Sequence, residues 1–358
     1  MKICLVSSAL PDVSCGIGDY TDSLARALVR RDHEVVVITT ASHDLRSPSD
    51  YRVVPLRTDW TLGEAGRVAA AARREHPDVL HVQFPGTSYG RGFGACFAPW
   101  AVWLRGSRPM LVTTLHEFQT LRLRNRARIA VAVSACDLVI SPDPTGLASI
   151  RQHLRWRPGL RSELIPLAAN IWPAAESPRA GGSRKGSELV IGYWGFLRPD
   201  KGVDLLLEAF ADVLRTRPAR LVLAGDPGPE AEYIASIWRR ADELGISGAI
   251  TTTGKLPADQ LSTVLQSFDV CCLPFRDGLT QNRGTYAGAV AHGLYVVTTA
   301  LGQGRFEPET NTAFVPPNDR DALASAILDT PNHQPVRVTA TAESAWDEIA
   351  DLHLAAYR

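Results

Sequence analysis

The strongest constraint on this chain is its rhythm. Short runs rich in Val, Ile and Leu alternate with longer amphipathic stretches: KICLVSS, then 18–31; HEVVVITT; RVVPL, then 63–75; DVLHVQF, then a helix; MLVTTLHE, then 122–134; DLVISPD. Apolar runs too short for helices, spaced by segments of helical period, predict a parallel sheet with helices on both faces. Residues 173–187 (PAAESPRAGGSRKGS at the core of the break) hold Pro, Gly, Ser and Ala with no apolar period, and read as a linker. The rhythm then restarts with ELVIGYWG, a helix over 202–215, RLVLAGD, 229–243, GAITTTGKL, 257–267, DVCCLPF, a helix from about 285, and YVVTTA.

The expected architecture is α/β, with two doubly wound Rossmann-like domains: residues 1–172, the linker 173–187, residues 188–335, and a C-terminal helix within 336–358. Trp346, Ile349, Leu352 and Leu354 are spaced to line one face of that helix. The length of 358 residues fits, at about 150 residues per domain. Open α/β sheets bind ligands at the carboxyl ends of their strands, so chemistry is expected in a cleft where two such domains face each other.

Charge excludes some functions. Lys plus Arg number 38 and Asp plus Glu number 38, so the overall balance gives no reason to expect a nucleic acid or an anionic membrane as partner. The six cysteines contain no C-x-x-C pair or metal-ligand spacing and read as reduced, buried thiols. The N-terminal apolar run is too short for a signal segment or a membrane span, so a cytoplasmic protein is expected. FGACFAPWAVWL, residues 93–104, reads as a buried or rim helix, with peripheral membrane contact as the alternative.

Several loops at strand ends carry candidate chemistry. Gly16 and Gly18 open a helix after the first strand, where amides and a helix N-terminus suit a phosphate or sugar hydroxyl. The third glycine of a dinucleotide fingerprint is replaced by Thr21, and the second strand ends in Thr39 and Thr40 rather than an acid, which argues against a nicotinamide enzyme. His116 and Glu117 close the fifth strand, whereas His81 sits inside an apolar run and reads as a core histidine. In GFLRPDKG, Arg198 offers a fork and Lys201 a point charge, a pair suited to a diphosphate. In PFRDGLTQNRGT, Asp277, Asn282, Arg283, Gly284 and Thr285 precede a helix for which Thr285 is the expected N-cap, with Arg283 adding charge. Tyr20, Tyr89 and Trp100 could stack on a sugar or a flat acceptor, or pack in the core or rim.

Taken together, the Gly16-Ile17-Gly18 loop, His116, IPLAANI, GFLRPDKGVDLLLEAF, LVLAGD and the PF-x-DG-to-AHG segment resemble the retaining glycosyltransferases of family 4, of GT-B fold. The resemblance implies a nucleotide-sugar donor held by the C-terminal domain, a small-molecule or glycan acceptor held by the N-terminal one, and a last helix crossing back to the N-terminal domain. It assigns Gly16 and Gly18 to the donor phosphates and acceptor, His116 to the donor sugar, and Lys201 to the diphosphate. Tyr20, Tyr89 and Glu117 fall on the acceptor side, and Arg198, Asn282, Arg283, Gly284 and Thr285 on the donor side.

Two departures stand out. The family's arginine directly follows the strand glycine, where this chain has Phe196, and Arg198 comes two places later. Asp277 stands for the first acid of the Glu-x7-Glu motif only with about three extra residues, and the second acid falls on Gly288. The implied chemistry is front-face glycosyl transfer without a cofactor or a required metal, in a secondary-metabolite or surface-glycan pathway. A nucleotide-sugar epimerase and an inactive nucleotide-sugar-binding protein are the alternatives.

Overall fold

The computed structural model describes residues 1–11, 16–41, 49–84, 94–104, 109–118, 121–173, 188–333, 336 and 338–358. Tyr89, Cys15 and all but the first residue of the 173–187 segment lie outside the described residues. The chain divides into two compact units: Met1–Asn170 together with Glu343–Arg358, and Ile171–Ala342.

In the first unit, strands β1 (Lys2–Val6), β2 (Glu34–Thr40), β3 (Arg52–Leu56), β4 (Val79–Phe84), β5 (Met110–Leu115), β6 (Leu138–Ser141) and β7 (Arg161–Leu164) form a parallel sheet in the order β3-β2-β1-β4-β5-β6-β7. Successive side chains of β1 divide between two cores: Cys4 and Val6 join one, Ile3 and Leu5 the other. That period of two, apolar on both sides, follows from a strand covered on both faces. Helices α2 (Ala65–Arg74), α3 (Gly94–Trp103), α4 (Leu123–Val133) and α5 (Pro144–His153) pack on the first face. Helix α1 (Gly16–Arg30) and the C-terminal helix (Ala342–Ala356) pack on the second.

The second unit repeats the plan with β8 (Leu189–Trp194), β9 (Ala219–Ala224), β10 (Ile250–Thr252), β11 (Val270–Leu273), β12 (Tyr295–Thr299), β13 (Arg305–Glu307) and β14 (Thr312–Val315), in the order β10-β9-β8-β11-β12-β14-β13. Only β13 in this sheet runs antiparallel, against β14. Its helices are α6 (Val203–Thr216), α7 (Ala231–Glu243), α8 (Ala258–Gln266), α9 (Gly284–Ala291) and α10 (Arg320–Leu328), which makes the C-terminal helix α11. In each sheet the strand order reverses at a central pair, β1/β4 and β8/β11, so the loops leaving those strands diverge and open a crevice.

The alternating pattern did not reveal β7, β13, β14, α5 or α10. RSEL and RFE carry too few apolar side chains to register as strands, since each pairs at or near a sheet edge and buries little. On α11, Trp346, Ile349 and Leu354 are buried as their spacing predicts, but Leu352 is 40% exposed. His353 takes its place on the inner face, fully buried, because it has a polar partner there and Leu352 falls on the opposite side of the turn.

Candidate functional site

In the second unit, the loop after β8 is shaped by two glycines. Gly195 has φ +121° and Gly202 has φ +68°, both in the region that disfavours side chains. A Cβ at Gly202 would lie 2.2 Å from the Pro274 carbonyl oxygen, so glycine lets this loop close onto the segment leaving β11. The Arg276 amide then donates to the Asp200 carbonyl at 3.1 Å, and the Arg276 guanidinium binds Asn318 at 2.7 Å and also Asp204. Two loops that diverge from β8 and β11 are thereby pinned to each other.

The pinning gathers cations around one carboxylate. Arg283 Nη1 donates to Asp200 Oδ2 at 3.0 Å, Arg198 Nε lies 3.1 Å from Oδ1, and Lys201 Nζ lies 4.0 Å from Oδ2. Lys201 and Arg283 both sit over the buried Phe275 ring, at 5.0 and 4.7 Å from its centroid, an arrangement a ring quadrupole favours. Burial pushes the Asp200 carboxyl upward, but Lys201, Arg198 and Arg283 outweigh it and hold the group below the usual carboxylate range. One anion against three cations leaves a fixed positive excess. Arg283 Nε is buried and has no hydrogen-bond partner among the described residues, a donor the fold leaves for something else.

Beside this cluster α9 begins. The helix starts at Gly284 with Arg283 in the cap position, so Thr285 is not the N-cap but the second helical residue. The reason is steric and polar: the Thr285 methyl lies against Gly195, 3.0 Å from where a Cβ would be, and its carbonyl accepts from Trp194 Nε1 at 2.9 Å. First-turn amides have no acceptor within their own helix, so Gly284 and Thr285 offer N–H groups at the positive helix end. Asn282 accepts from the Thr280 hydroxyl in the same loop, and Asp277 is exposed on the turn between Phe275 and Gly278. A cavity of about 160 Å3 at the ends of β8, β9 and β10 is lined by Gly195, Leu197, Gly225, Pro227, Trp238 and Gly254 among others. Larger, open depressions beside α5 and along β13 contain none of these residues. Asp319-Arg320-Asp321 has the spacing of a metal-binding acid pair, but Asp319 caps α10 by accepting the Ala322 amide at 2.9 Å and Asp321 pairs with Arg320.

In the first unit, α1 begins at Gly16. A Cβ at Gly18 would meet the Leu10 backbone at 3.0 Å, whereas among the described residues nothing lies within 4 Å of one at Gly16. Gly18 therefore serves close packing. His116 follows β5 and is 2% exposed, with Nε2 donating to the Gln83 carboxamide oxygen at 2.9 Å. Burial lowers its pKa to about 3, so the imidazole is neutral. Glu117 beside it is half-buried.

Tyr20 does not present a stacking face. It is 3% exposed, edge-on to His116 (5.0 Å) and Trp346 (5.2 Å), and its hydroxyl is hydrogen-bonded to His353 Nε2 at 2.8 Å. The helix turns it into the core, where a phenol persists only with a polar partner, and α11 supplies one. His81 is a satisfied core histidine, with Nδ1 bonded to the Tyr357 hydroxyl and Nε2 to the Thr114 hydroxyl, each at 2.7 Å. Sequence reasoning overlooked Asp200 and Phe275. The only signal for Asp200 was its place between Arg198 and Lys201; Phe275 carried none, because its role depends on two cations brought from separate loops.

Residues 15–170 match Glycosyltransferase Family 4, and residues 188–332 match Glycosyl transferases group 1. A D-inositol 3-phosphate glycosyltransferase of Segniliparus rotundus is 33% identical over 89 residues, 25% of this chain and 20% of that protein, so the chain spans only a fifth of that relative's length. A phosphatidyl-myo-inositol mannosyltransferase of Mycobacterium leprae is 23% identical over 345 residues, 92% of this chain and 87% of the relative. Anabaena HepE, solved in complex with UDP and glucose, superposes with a TM-score of 0.68 at 18% identity, covering 98% of this chain and 95% of its own, which shows a shared fold. With both units matched in order and the two sheets those of GT-B proteins, the chain belongs to the group 1, family 4 glycosyltransferases.

Proposed function

We propose that this glycosyltransferase moves a sugar from a nucleoside diphosphate to an acceptor hydroxyl with retention at the anomeric carbon. The observation that carries the reading is the placement of Lys201 and Arg283 side by side over Phe275, next to the first turn of α9. Together they form a preorganised cationic site with an unused buried N–H, complementary to a diphosphate. Neighbours bear on the donor class: HepE was solved with UDP and glucose, and the matched relatives are named for sugar transfer to an inositol phosphate or a phosphatidylinositol.

In this reaction the bond between the sugar's anomeric carbon and the β-phosphate oxygen breaks. The departing phosphate oxygen takes the proton of the acceptor hydroxyl, and the acceptor oxygen bonds to the same face of the sugar. Lys201, Arg283 and the Gly284 and Thr285 amides stabilise charge that grows on the diphosphate, which makes no demand for a divalent metal. Arg198, Asn282 and Asp277 border the donor, with Asp277 toward the sugar. By the family resemblance, Gly16 and Gly18 serve the donor phosphates and acceptor, His116, a neutral imidazole, serves the donor sugar, and Glu117 serves the acceptor. The setting is cytoplasmic, in a secondary-metabolite or surface-glycan pathway.

A second reading, nucleotide-sugar binding without transfer, is favoured by Gly288, where the family's ribose-facing acid is missing. Release of nucleoside diphosphate from UDP-, GDP-, ADP- and dTDP-glucose, with and without EDTA, separates the two. Turnover that survives EDTA but collapses in Lys201→Ala and Arg283→Ala is expected. Tight donor binding with no release supports the second reading, and unchanged turnover in both variants ends the first.

A further inference from the structure

The overall charge of zero conceals a local excess. Residues 121–164 contain eight arginines (Arg122, Arg124, Arg126, Arg128, Arg151, Arg155, Arg157, Arg161) against three acids, Asp137, Asp143 and Glu163. Two of those acids are turned to structural work: Asp143 caps α5 by accepting the Gly146 amide, and Asp137 accepts the Leu111 amide. Seven of the arginines are exposed, Arg126 being half-buried.

Large apolar side chains are exposed among them. On α4, Arg124, Ala127, Arg128 and Val131 are exposed at helical spacing, with Leu123 72% and Val131 53% exposed. At the end of α3, Trp103 is 46% and Leu104 69% exposed; after α5, Trp156 is 56% exposed. These are not scattered. Trp103 packs edge-on against Trp100 at 5.5 Å, Trp100 Nε1 donates to the Val131 carbonyl at 2.9 Å, and Arg157 Nε donates to the Ser134 carbonyl at 3.1 Å. The contacts run unbroken from the end of α3 across the end of α4 to the loop after α5. All three helices belong to the layer that covers one face of the first sheet.

We infer that this α3–α4–α5 face docks on an anionic phospholipid bilayer, with Trp103, Leu104, Leu123, Val131 and Trp156 entering the headgroup region and the arginines binding lipid phosphates. Arginines alone would suit any polyanion. The aromatic and aliphatic side chains that protrude between them are what a membrane interface takes up and a nucleic-acid backbone does not. The charge balance of the whole sequence pointed away from such a partner because the compensating acids lie elsewhere in the chain. The inference does not depend on the donor chemistry proposed above.

The test is co-sedimentation of the full chain with vesicles of phosphatidylcholine, and of phosphatidylcholine with one third phosphatidylglycerol. The chain is expected to bind the anionic vesicles, to ignore the neutral ones, and to be released by high salt. Arg124→Ala lowers the partition about fivefold, and Leu123→Ala with Trp156→Ala lowers it more than tenfold. Both apolar sites are exposed, so melting temperatures should stay at the wild-type value. Equal partition onto both vesicle types, or none, overturns the inference. So does a Leu123→Ala/Trp156→Ala chain that binds like wild type while duplex DNA competes for the face, since that pattern marks a nucleic-acid surface.

Discussion

The indole of Trp194 occupies the space that a side chain at Gly288 would need: a Cβ there would lie 2.6 Å from Trp194 Cζ2 and 3.0 Å from Cη2. Trp194 is held in place by its own hydrogen bond to the Thr285 carbonyl. Glycine at 288 is thus one half of a packed pair, and any side chain placed there must displace the indole. Gly288→Glu is expected to destabilise the protein by about 1 to 3 kcal/mol through overpacking, measured by urea unfolding. Trp194→Ala in the same chain should make Gly288→Glu less costly. Additive losses in the double variant would refute the pairing.

All three cations face Asp200, but Lys201 and Arg283 also share the Phe275 ring, whereas Arg198 is 45% exposed. Lys201→Ala and Arg283→Ala should each lower kcat/KM by about 10²- to 10³-fold, as loss of one preorganised donor does, and Arg198→Ala by clearly less. If Arg198→Ala proves the most damaging of the three, the assignment of the second cation to Arg283 is wrong.

Asp200 offsets part of the charge of three cations. Asp200→Asn should weaken the empty protein while steepening the salt dependence of inorganic pyrophosphate binding, because one more positive charge faces the anion. Calorimetric titrations at two salt concentrations check this; an unchanged slope would show that the carboxylate does not govern the site.

Three buried histidines set an acid limit on the first unit. Burial lowers the pKa of His116 and of His353 to about 3 and that of His81 well below the usual value, with small further repulsion from neighbouring histidines for the last two. As pH falls below about 6.5, the unfolded chain takes up protons that the folded one refuses, so stability drops; above that pH these groups contribute no slope. His116 and His353 each cost about 2 kcal/mol by pH 5, and His81 adds to the loss in the same direction. Unfolding free energies between pH 7 and 5 should show the loss, and His353→Gln should flatten it.

Tyr20 reaches His353 through its hydroxyl, a bond between α1 and α11. Tyr20→Phe is expected to lower stability by about 0.5 to 1.5 kcal/mol and to leave the acceptor KM unchanged, since the ring is enclosed. A large KM effect with unaltered stability would return Tyr20 to the acceptor side.

Periodicity alone determined the central strands of both sheets, though not β7, β13 or β14 at or near their edges. Runs such as VVVIT and VCCL bury on both sides, and no other arrangement hides an unbroken apolar strand from water. The same local logic marked Lys201 and the glycines of its loop, because turn chemistry and charge are written within a few residues. Tertiary structure decided which residues meet. Asp200 and Arg283 are 83 positions apart and Tyr20 and His353 are 333 apart. Whether Tyr20 stacks on a ligand or fills the core, and whether Arg198 or Arg283 accompanies Lys201, depends on contacts between distant segments. Those contacts form only when hydrophobic burial folds the sheets, and no window along the chain encodes them.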